Sequence, residues 1–220
     1  MILKYWKTFI KNQYNYYFDE DKKLREYYNT KYPTSCITYK RTDKLGTIKI
    51  DVRQFLNIHN FSYPTIKSES DDDIALNALV WVIKNIKYVP DSNKYKQSEY
   101  WAFPYETLNY KVGDCEDGAL LLYCIMRKNG IPAWKIRVSA GWVVNNGKDE
   151  GHAYVTYYCE ASEKWIILDW CYWPNVSPIK DRLEYKLEEK YKAVWFSFNE
   201  EYSWSKGLNS EAKHLLNENK

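Results

Sequence analysis

Residues 112–126 read Val-Gly-Asp-Cys-Glu-Asp-Gly-Ala-Leu-Leu-Leu-Tyr-Cys-Ile-Met, and this stretch decides the fold. Its apolar residues recur at helical spacing along one stripe: Ala119, Leu122, Ile125 and Met126. Asp114 stands at the position of an N-cap residue, which makes Cys115 the first residue of the helix. Asp117 then falls at the third helical position, where an acidic side chain can bond back to the cap. The stretch therefore predicts a buried helix that begins at a thiol.

A second helix is predicted upstream of this stretch. Ser70 supplies an N-cap and the aspartates after it an acidic first turn. Apolar residues then recur with helical period over residues 74–86, and Pro90 ends the helix. The Cys115 helix is expected to end near Gly130.

Downstream the hydrophobic period changes to two, which predicts strands over residues 135–144, 152–158 and 164–170. The turn-rich residues 145–151 separate the first two. Helices followed by consecutive antiparallel strands are typical of an α+β fold.

Residues 1–70 form an N-terminal extension or accessory subdomain in this interpretation, with short β-like runs at 36–39 and 47–52. Residues 71–220 form the main domain.

The second and third strands bring a histidine and an aspartate together. If residues 159–162 form a four-residue loop, Tyr158 pairs with Glu163 and His152 lies opposite Asp169 on the same face. Cross-strand partners on one face have Cβ atoms roughly 4.5–5.5 Å apart, so the carboxylate can hold the imidazole.

Cys115, His152 and Asp169 together form the nucleophile, base and orienting group of acyl transfer. The positive end of the helix dipole favours a Cys115 thiolate, while Glu116 and Asp117 oppose it. In this hypothesis Cys115 attacks a carbonyl, His152 relays the proton and Asp169 fixes the tautomer. The backbone N–H of Cys115 can donate to the developing oxyanion.

Other histidines and cysteines offer weaker alternatives. His59 and His214 lie outside any motif, and Cys124 is expected to be an inert core residue. Cysteine, histidine and aspartate can all bind zinc, so a further alternative is a zinc site formed by Cys115, His152, Cys159, Asp169 and Cys171. These residues are widely spaced in the sequence and lack the close ligand pairs of structural zinc sites. Cys171, near Asp169, is read as structural or as a regulatory thiol.

Several segments resemble the transglutaminase-like cysteine proteinase superfamily. They are Trp-Ala-Phe-Pro-Tyr-Glu-Thr at 101–107, Gly-Asp-Cys-Glu-Asp-Gly-Ala at 113–119, Gly-Ile-Pro-Ala at 130–133, Gly-His-Ala-Tyr-Val at 151–155 and Trp-Ile-Ile-Leu-Asp at 165–169. The order Cys, His, Asp also matches, with intervals of 37 and 17 residues. The resemblance covers residues 72–173.

The resemblance implies a papain-like core, in which a Cys-bearing helix packs on an antiparallel sheet that carries His152 and Asp169. It also implies acyl transfer from an amide without metal or cofactor. We expect a thiol peptidase or amidase that acts on a peptide, protein or cell-wall amide through a Cys115 thioester. The alternatives are a transglutaminase or isopeptide ligase, and a non-catalytic binding module. For the second oxyanion donor, Gln97 and Trp101 are both candidates.

Composition and charge exclude several classes of partner and of protein. The formal net charge is +3 and the charges alternate in sign, which disfavours a nucleic-acid-binding surface. The longest apolar run, residues 118–126, is too short to span a bilayer, and no signal peptide is recognisable. Five cysteines without a CxxC pair argue against a disulfide scaffold. We therefore expect a cytoplasmic protein. Its amino-acid composition, which is rich in Lys, Asn and Tyr, favours a phage or a low-GC microbe as the source, and a phage protein of this kind can be associated with the virion. The oligomeric state stays open.

Overall fold

The computed structural model describes residues 36–59 and 61–205 of the 220-residue chain. The α-helices in those ranges are α1 (Asp71–Asn85), α2 (Asp91–Lys94), α3 (Pro104–Tyr110) and α4 (Cys115–Lys128). The strands are β1 (Thr38–Asp43), β2 (Gly46–Asp51), β3 (Lys87–Tyr88), β4 (Val112–Gly113), β5 (Ile136–Asn145), β6 (Lys148–Cys159), β7 (Lys164–Leu168), β8 (Tyr191–Phe198) and β9 (Ser203–Ser205).

The main sheet has five strands in the order β7-β6-β5-β8-β9, and all its neighbours are antiparallel. The helix that begins at Cys115, α4, packs against this sheet. The α+β architecture predicted from the sequence is confirmed.

Helix α4 is the centre of the hydrophobic core. Every residue from Glu116 to Met126 is buried, and the apolar ones join a single cluster with the inner faces of β5, β6 and β7. A helix that is apolar nearly all round can only be stable inside a protein. The burial fixes the position of its first residue, Cys115, relative to the sheet.

The β5–β6 hairpin is tighter than the sequence suggests. Strand β6 begins at Lys148, so the turn is limited to Asn146 and Gly147, which both have positive φ (50° and 75°). This pair is the favoured sequence of a two-residue hairpin turn, because the backbone twist of such a turn matches the right-handed twist of the flanking strands. The predicted loop over residues 145–151 is therefore wrong in length.

The β6–β7 register differs from the predicted one by two residues. Tyr158 pairs with Trp165 rather than Glu163, and the turn consists of residues 160–163. Glu163 takes a positive φ of 52° and closes the turn outside the ladder. A shift of two leaves every side chain on its predicted face. Strand β7 ends at Leu168, so Asp169 follows the strand instead of pairing within it.

The β1–β2 hairpin and the short 3-10 helix after it, Val52–Leu56, also contribute to the core, where Phe55 is fully buried. The β-like runs at 36–39 and 47–52 overlap these two strands. Because residues 1–35 lie outside the described part of the chain, the domain boundary at residue 70 stays a prediction. Among the described residues, no helix is long and apolar enough to cross a membrane.

Candidate active site

Cys115 is the first residue of α4 and lies against strand β6. The backbone N–H of Ala153 hydrogen-bonds the Cys115 sulfur, and Trp170 Nε1 donates to the Cys115 carbonyl at 3.1 Å. The thiol donates to Glu116 Oε2 at 3.4 Å. The thiol is thus held beside Ala153, the residue that follows His152.

The predicted capping box is wrong. Asp114 is the N-cap residue but makes no side-chain cap hydrogen bond. Asp117, which is fully buried, accepts the backbone N–H of Ala102 at 2.7 Å instead. This contact ties the first turn of α4 to the segment before α3, so Asp117 positions the helix rather than capping it.

His152 and Asp169 form a buried pair. His152 Nε2 lies 2.7 Å from Asp169 Oδ2, and each residue is 2% exposed. With its Nε2 proton donated to the carboxylate, the imidazole keeps Nδ1 as its basic nitrogen. Nδ1 is buried and has no hydrogen-bond partner among the described residues, so it is not committed to another group there.

Asp169 is held by three further hydrogen bonds. Its Oδ1 accepts the backbone N–H groups of Cys171 (2.9 Å) and Tyr172 (3.1 Å), and its Oδ2 accepts the Tyr191 hydroxyl at 2.8 Å. Burial alone would raise the pKa of Asp169, but the hydrogen bond and charge of His152 and these donors lower it below its usual value. Asp169 therefore stays ionised.

Aromatic rings surround the His152 side chain and the N-terminus of α4. Tyr172 stacks on the imidazole with centroids 4.0 Å apart, and Trp173 meets it edge-on at 6.1 Å. The Tyr88 ring contacts Trp170 and Tyr172 at 6.0 and 6.2 Å. These rings limit the access of water to the pair.

A group of acidic side chains lies near Cys115. Carboxylate oxygens of Asp91, Asp114 and Asp117 lie within 4.8 Å of one another. Each of the three aspartates has one buried carboxylate oxygen without a hydrogen-bond partner among the described residues. The same is true of Glu116 Oε1. Burial and the neighbouring Asp114 raise the pKa of Asp91 to about 7.

The same acidic group affects the thiol. Burial, followed by the charge of Asp114, raises the pKa of Cys115 above its usual value, although the Ala153 N–H lowers it. Burial and the charge of Asp114 therefore act against the helix dipole, which favours the thiolate.

The described residues offer two sets of metal-ligating groups. One is the three aspartates, and the other is His152, Asp169 and Cys171. The zinc site predicted as an alternative also included Cys159, which does not belong to the second set. The Cys159 thiol donates instead to Asp72 at 3.3 Å. Three carboxylates are a donor set for a hard divalent cation such as Ca²⁺ or Mg²⁺, not for zinc.

Gln97 and Trp101, the two candidates for a second oxyanion donor, are engaged elsewhere. Gln97 Nε2 donates to the Thr42 carbonyl at 3.1 Å, and Trp101 Nε1 donates to Glu99 Oε1 at 2.6 Å. Trp101 is also buried and stacks on Tyr39. The single side-chain N–H of Trp101 is thus committed, and the Gln97 amide is held at the β1–β2 hairpin.

The remaining histidines and cysteines do not join the site. His59 is exposed, and His214 lies outside the described residues. All five cysteines are free thiols, with Cys124 buried in the core and Cys36 exposed.

Sequence reasoning missed Tyr88, Tyr172, Tyr191 and Asp91. Tyr172 follows Asp169 closely in sequence, which was an available signal. The others come from distant segments that have no motif of their own.

The chain is similar to a known family in sequence and to known structures in fold. The family model of the transglutaminase-like superfamily matches residues 61–170, which are half of the chain. None of the curated proteins matches the sequence. The structure of Legionella pneumophila LapG is similar, with a TM-score of 0.50 and 20% identity over 68% of this chain and 78% of that chain. A calcium-bound form of LapG gives a TM-score of 0.48 and 19% identity over 70% and 83%. The likeness to LapG is one of fold.

Proposed function

Because the chain belongs to the transglutaminase-like superfamily, we propose that it is a cysteine-dependent acyl-transfer enzyme of hydrolytic type. Its substrate is a peptide, isopeptide or other amide bond in a peptide, protein or cell-wall polymer. The observation that carries this proposal is the buried His152–Asp169 pair, in which His152 is followed in the chain by Ala153, the residue whose backbone N–H hydrogen-bonds the Cys115 sulfur.

In the acylation step, the Cys115 sulfur forms a bond to the carbonyl carbon while its proton passes to His152 Nδ1. The carbonyl π electrons move to oxygen, where the Cys115 backbone N–H donates a hydrogen bond. The C–N bond then breaks, and the leaving amine takes the proton from His152. Asp169 keeps the imidazole oriented and stabilises its cationic form.

In the second step, water loses a proton to His152 and attacks the thioester, which releases the acid and restores the thiol. An amine in place of water would give a transglutaminase or ligase. The rings of Tyr172 and Trp173 around His152 limit the access of water. Whether water or an amine attacks the thioester is decided by measuring the products.

The acidic group beside Cys115 supports a bound divalent cation. Asp91, Asp114 and Asp117 would hold it, since their unpartnered oxygens are buried and close together. The ion would offset negative charge that is otherwise costly to bury. It takes no part in bond making.

The cation is tested by thermal unfolding after removal of metal with EDTA. Added Ca²⁺ or Mg²⁺ should raise Tm, by the equivalent of about 2.7 kcal/mol at one hundred times Kd. Asp91→Asn keeps an acceptor for the Tyr100 N–H but removes one charge. It should stabilise the metal-free protein and abolish the response. A wild-type Tm that neither ion changes would contradict a cation at this site.

The nucleophile is tested by alkylation in a Cys36→Ser background, which removes the exposed thiol. Iodoacetamide followed by intact-mass analysis and peptide mapping should find Cys115 modified first, and His152→Ala should slow this reaction. Amide substrates are then screened for new amino termini, for released ammonia and for incorporation of an added amine. Cleavage that survives in Cys115→Ala would refute the proposed mechanism.

A further inference from the structure

Tyr88 is fixed beside the segment that leads into the nucleophile. In the parallel pair β3–β4, Tyr88 is the partner of Gly113, two residues before Cys115. Backbone hydrogen bonds from Lys87 to Lys111 and from Val89 to Gly113, both 2.9 Å, enclose it. Adjacent strands lie about 4.8 Å apart, so the Tyr88 side chain starts close to the N-terminus of α4.

The ring of Tyr88 is held on the same side as the reacting groups. It contacts Trp170, whose indole donates to the Cys115 carbonyl, and Tyr172, whose ring covers His152. Tyr88 is nevertheless 38% exposed, so it borders the opening through which a substrate must arrive.

The Tyr88 hydroxyl is a hydrogen-bond donor near the thiol. It is hydrogen-bonded with the Tyr172 hydroxyl, and either oxygen can be the donor. Burial and then Cys115 raise the pKa of Tyr88, so its proton stays in place at neutral pH.

An oxyanion formed at Cys115 needs a second donor. The Cys115 N–H supplies one hydrogen bond, and Gln97 and Trp101 are committed to other acceptors. Tyr88 meets the remaining requirements, since it is a protonated, partly exposed donor on a backbone hydrogen-bonded next to Gly113.

We propose that the Tyr88 hydroxyl donates the second hydrogen bond to the oxyanion of the tetrahedral intermediate on Cys115. This inference rests on the proposed function. As sulfur bonds to the carbonyl carbon and the π pair moves to oxygen, the Tyr88 O–H turns from Tyr172 to that oxygen. It keeps its proton throughout, while the leaving amine takes its proton from His152.

The test compares two reactions of the same thiol in the full-length protein. p-Nitrophenyl acetate acylates Cys115 through an oxyanion, and the burst of p-nitrophenolate gives the rate. Iodoacetamide alkylates Cys115 by displacement of iodide, which forms no oxyanion. A side chain that acts only on the oxyanion affects the first reaction and spares the second.

Tyr88→Phe should slow acylation by about 10–10²-fold, less than the 10²–10³-fold typical of an oxyanion donor because the leaving group is activated. Its alkylation rate should stay within about twofold of wild type, and its Tm should be unchanged. Tyr63→Phe is the matched control, since it also removes a largely buried hydroxyl, one that donates to the Asn57 carbonyl away from the site. It should change neither rate.

Three results would overturn the inference. Acylation of Tyr88→Phe at the wild-type rate would exclude Tyr88 as the donor while leaving the proposed function intact. An equal loss in both reactions would assign Tyr88 to the reactivity of the thiol instead. A wild-type Cys115 that is neither acylated nor alkylated would refute the proposed function, and this inference with it.

Discussion

Asp169 makes four hydrogen bonds, and only the one to His152 contacts the side chain that accepts the proton in the proposed reaction. The two backbone N–H groups and the Tyr191 hydroxyl fix the carboxylate, so that it in turn fixes the imidazole. Tyr191 lies on β8, on the far side of β5 from the strand that carries His152. The orientation of His152 therefore depends on three segments of the sheet and its loops.

Asp169→Asn should keep the fold and lower turnover by roughly 10–10³-fold. The amide is nearly isosteric, but it loses the charge that stabilises protonated His152. Turnover on an identified substrate and circular dichroism measure the two effects. Tyr191→Phe removes one hydrogen bond and keeps the charge, so it should cost less. If Asp169→Asn matched wild type, another group would orient His152.

Gly118 allows Trp170 to approach α4. A Cβ at this position would lie 2.1 Å from Trp170 Cε2, and the ring is buried. Although Gly→Ala within a helix normally stabilises by about 1 kcal/mol, Gly118→Ala should therefore lower the free energy of unfolding by about 1–3 kcal/mol.

Urea unfolding measures the cost, and Trp170→Phe provides the control. Since Phe leaves room for the new methyl group, the double variant should cost less than the sum of the single variants. Additive costs would mean that the contact between Gly118 and Trp170 is not the cause.

At the scale of elements, Asp72 joins α1 to the β6–β7 turn. Its carboxylate accepts the Tyr157 hydroxyl at 2.8 Å and the backbone N–H groups of Glu160 and Ala161, both at 3.1 Å. The first turn of α1 thus satisfies backbone donors that the hairpin leaves unpaired.

Asp72→Ala should lower the free energy of unfolding by about 2–4 kcal/mol, because several donors to a charged acceptor lose their partner at once. Asp73→Ala is the matched control. It removes the same charge from the same turn, but Asp73 is exposed and its side chain bonds only Ser70, so its cost should stay below about 1 kcal/mol. Equal costs in urea unfolding would mean that helix-dipole charge, not the link to the turn, is what matters.

The helices and strands that the sequence predicted are those with strong periodicity or clear caps. Ser70 caps α1 as expected, with its Oγ accepting the Asp73 N–H at 3.1 Å. The β6–β7 register was missed because a shift of two residues keeps every side chain on its face, and no Gly or Asn marks the turn at Glu163. The Asp91–Asp114–Asp117 group was not predicted for another reason. Asp91 is brought close to the other two residues by the pairing of β3 with β4, and no local sequence pattern predicts that pairing.

At the scale of the whole molecule, the β1–β2 hairpin is integrated with the helical layer. Arg41 binds Glu106 of α3 through two hydrogen bonds of 2.8 Å and also donates to the Trp101 carbonyl. The Phe55 ring packs on Trp101 and Phe103 at 5.5 and 4.7 Å. Arg41 and Phe55 both precede residue 61, where the family match begins, and their partners lie within the match.

A chain that starts at residue 61 should therefore fail to fold stably, whereas one that starts at residue 36 should unfold cooperatively. The shorter chain lacks Ile50, Val52, Phe55 and Leu56, which are all buried. Each buried side chain of this size contributes about 1.5–3 kcal/mol, so their sum is comparable with the whole stability of a domain, about 5–15 kcal/mol. Phe55→Ala in the full-length chain gives an independent measure, with an expected cost of about 3–5 kcal/mol. Thermal unfolding by circular dichroism compares all three proteins. If the chain from residue 61 melted cooperatively at the Tm of the longer one, the residues before it would be an extension or accessory subdomain, and the core would form without them.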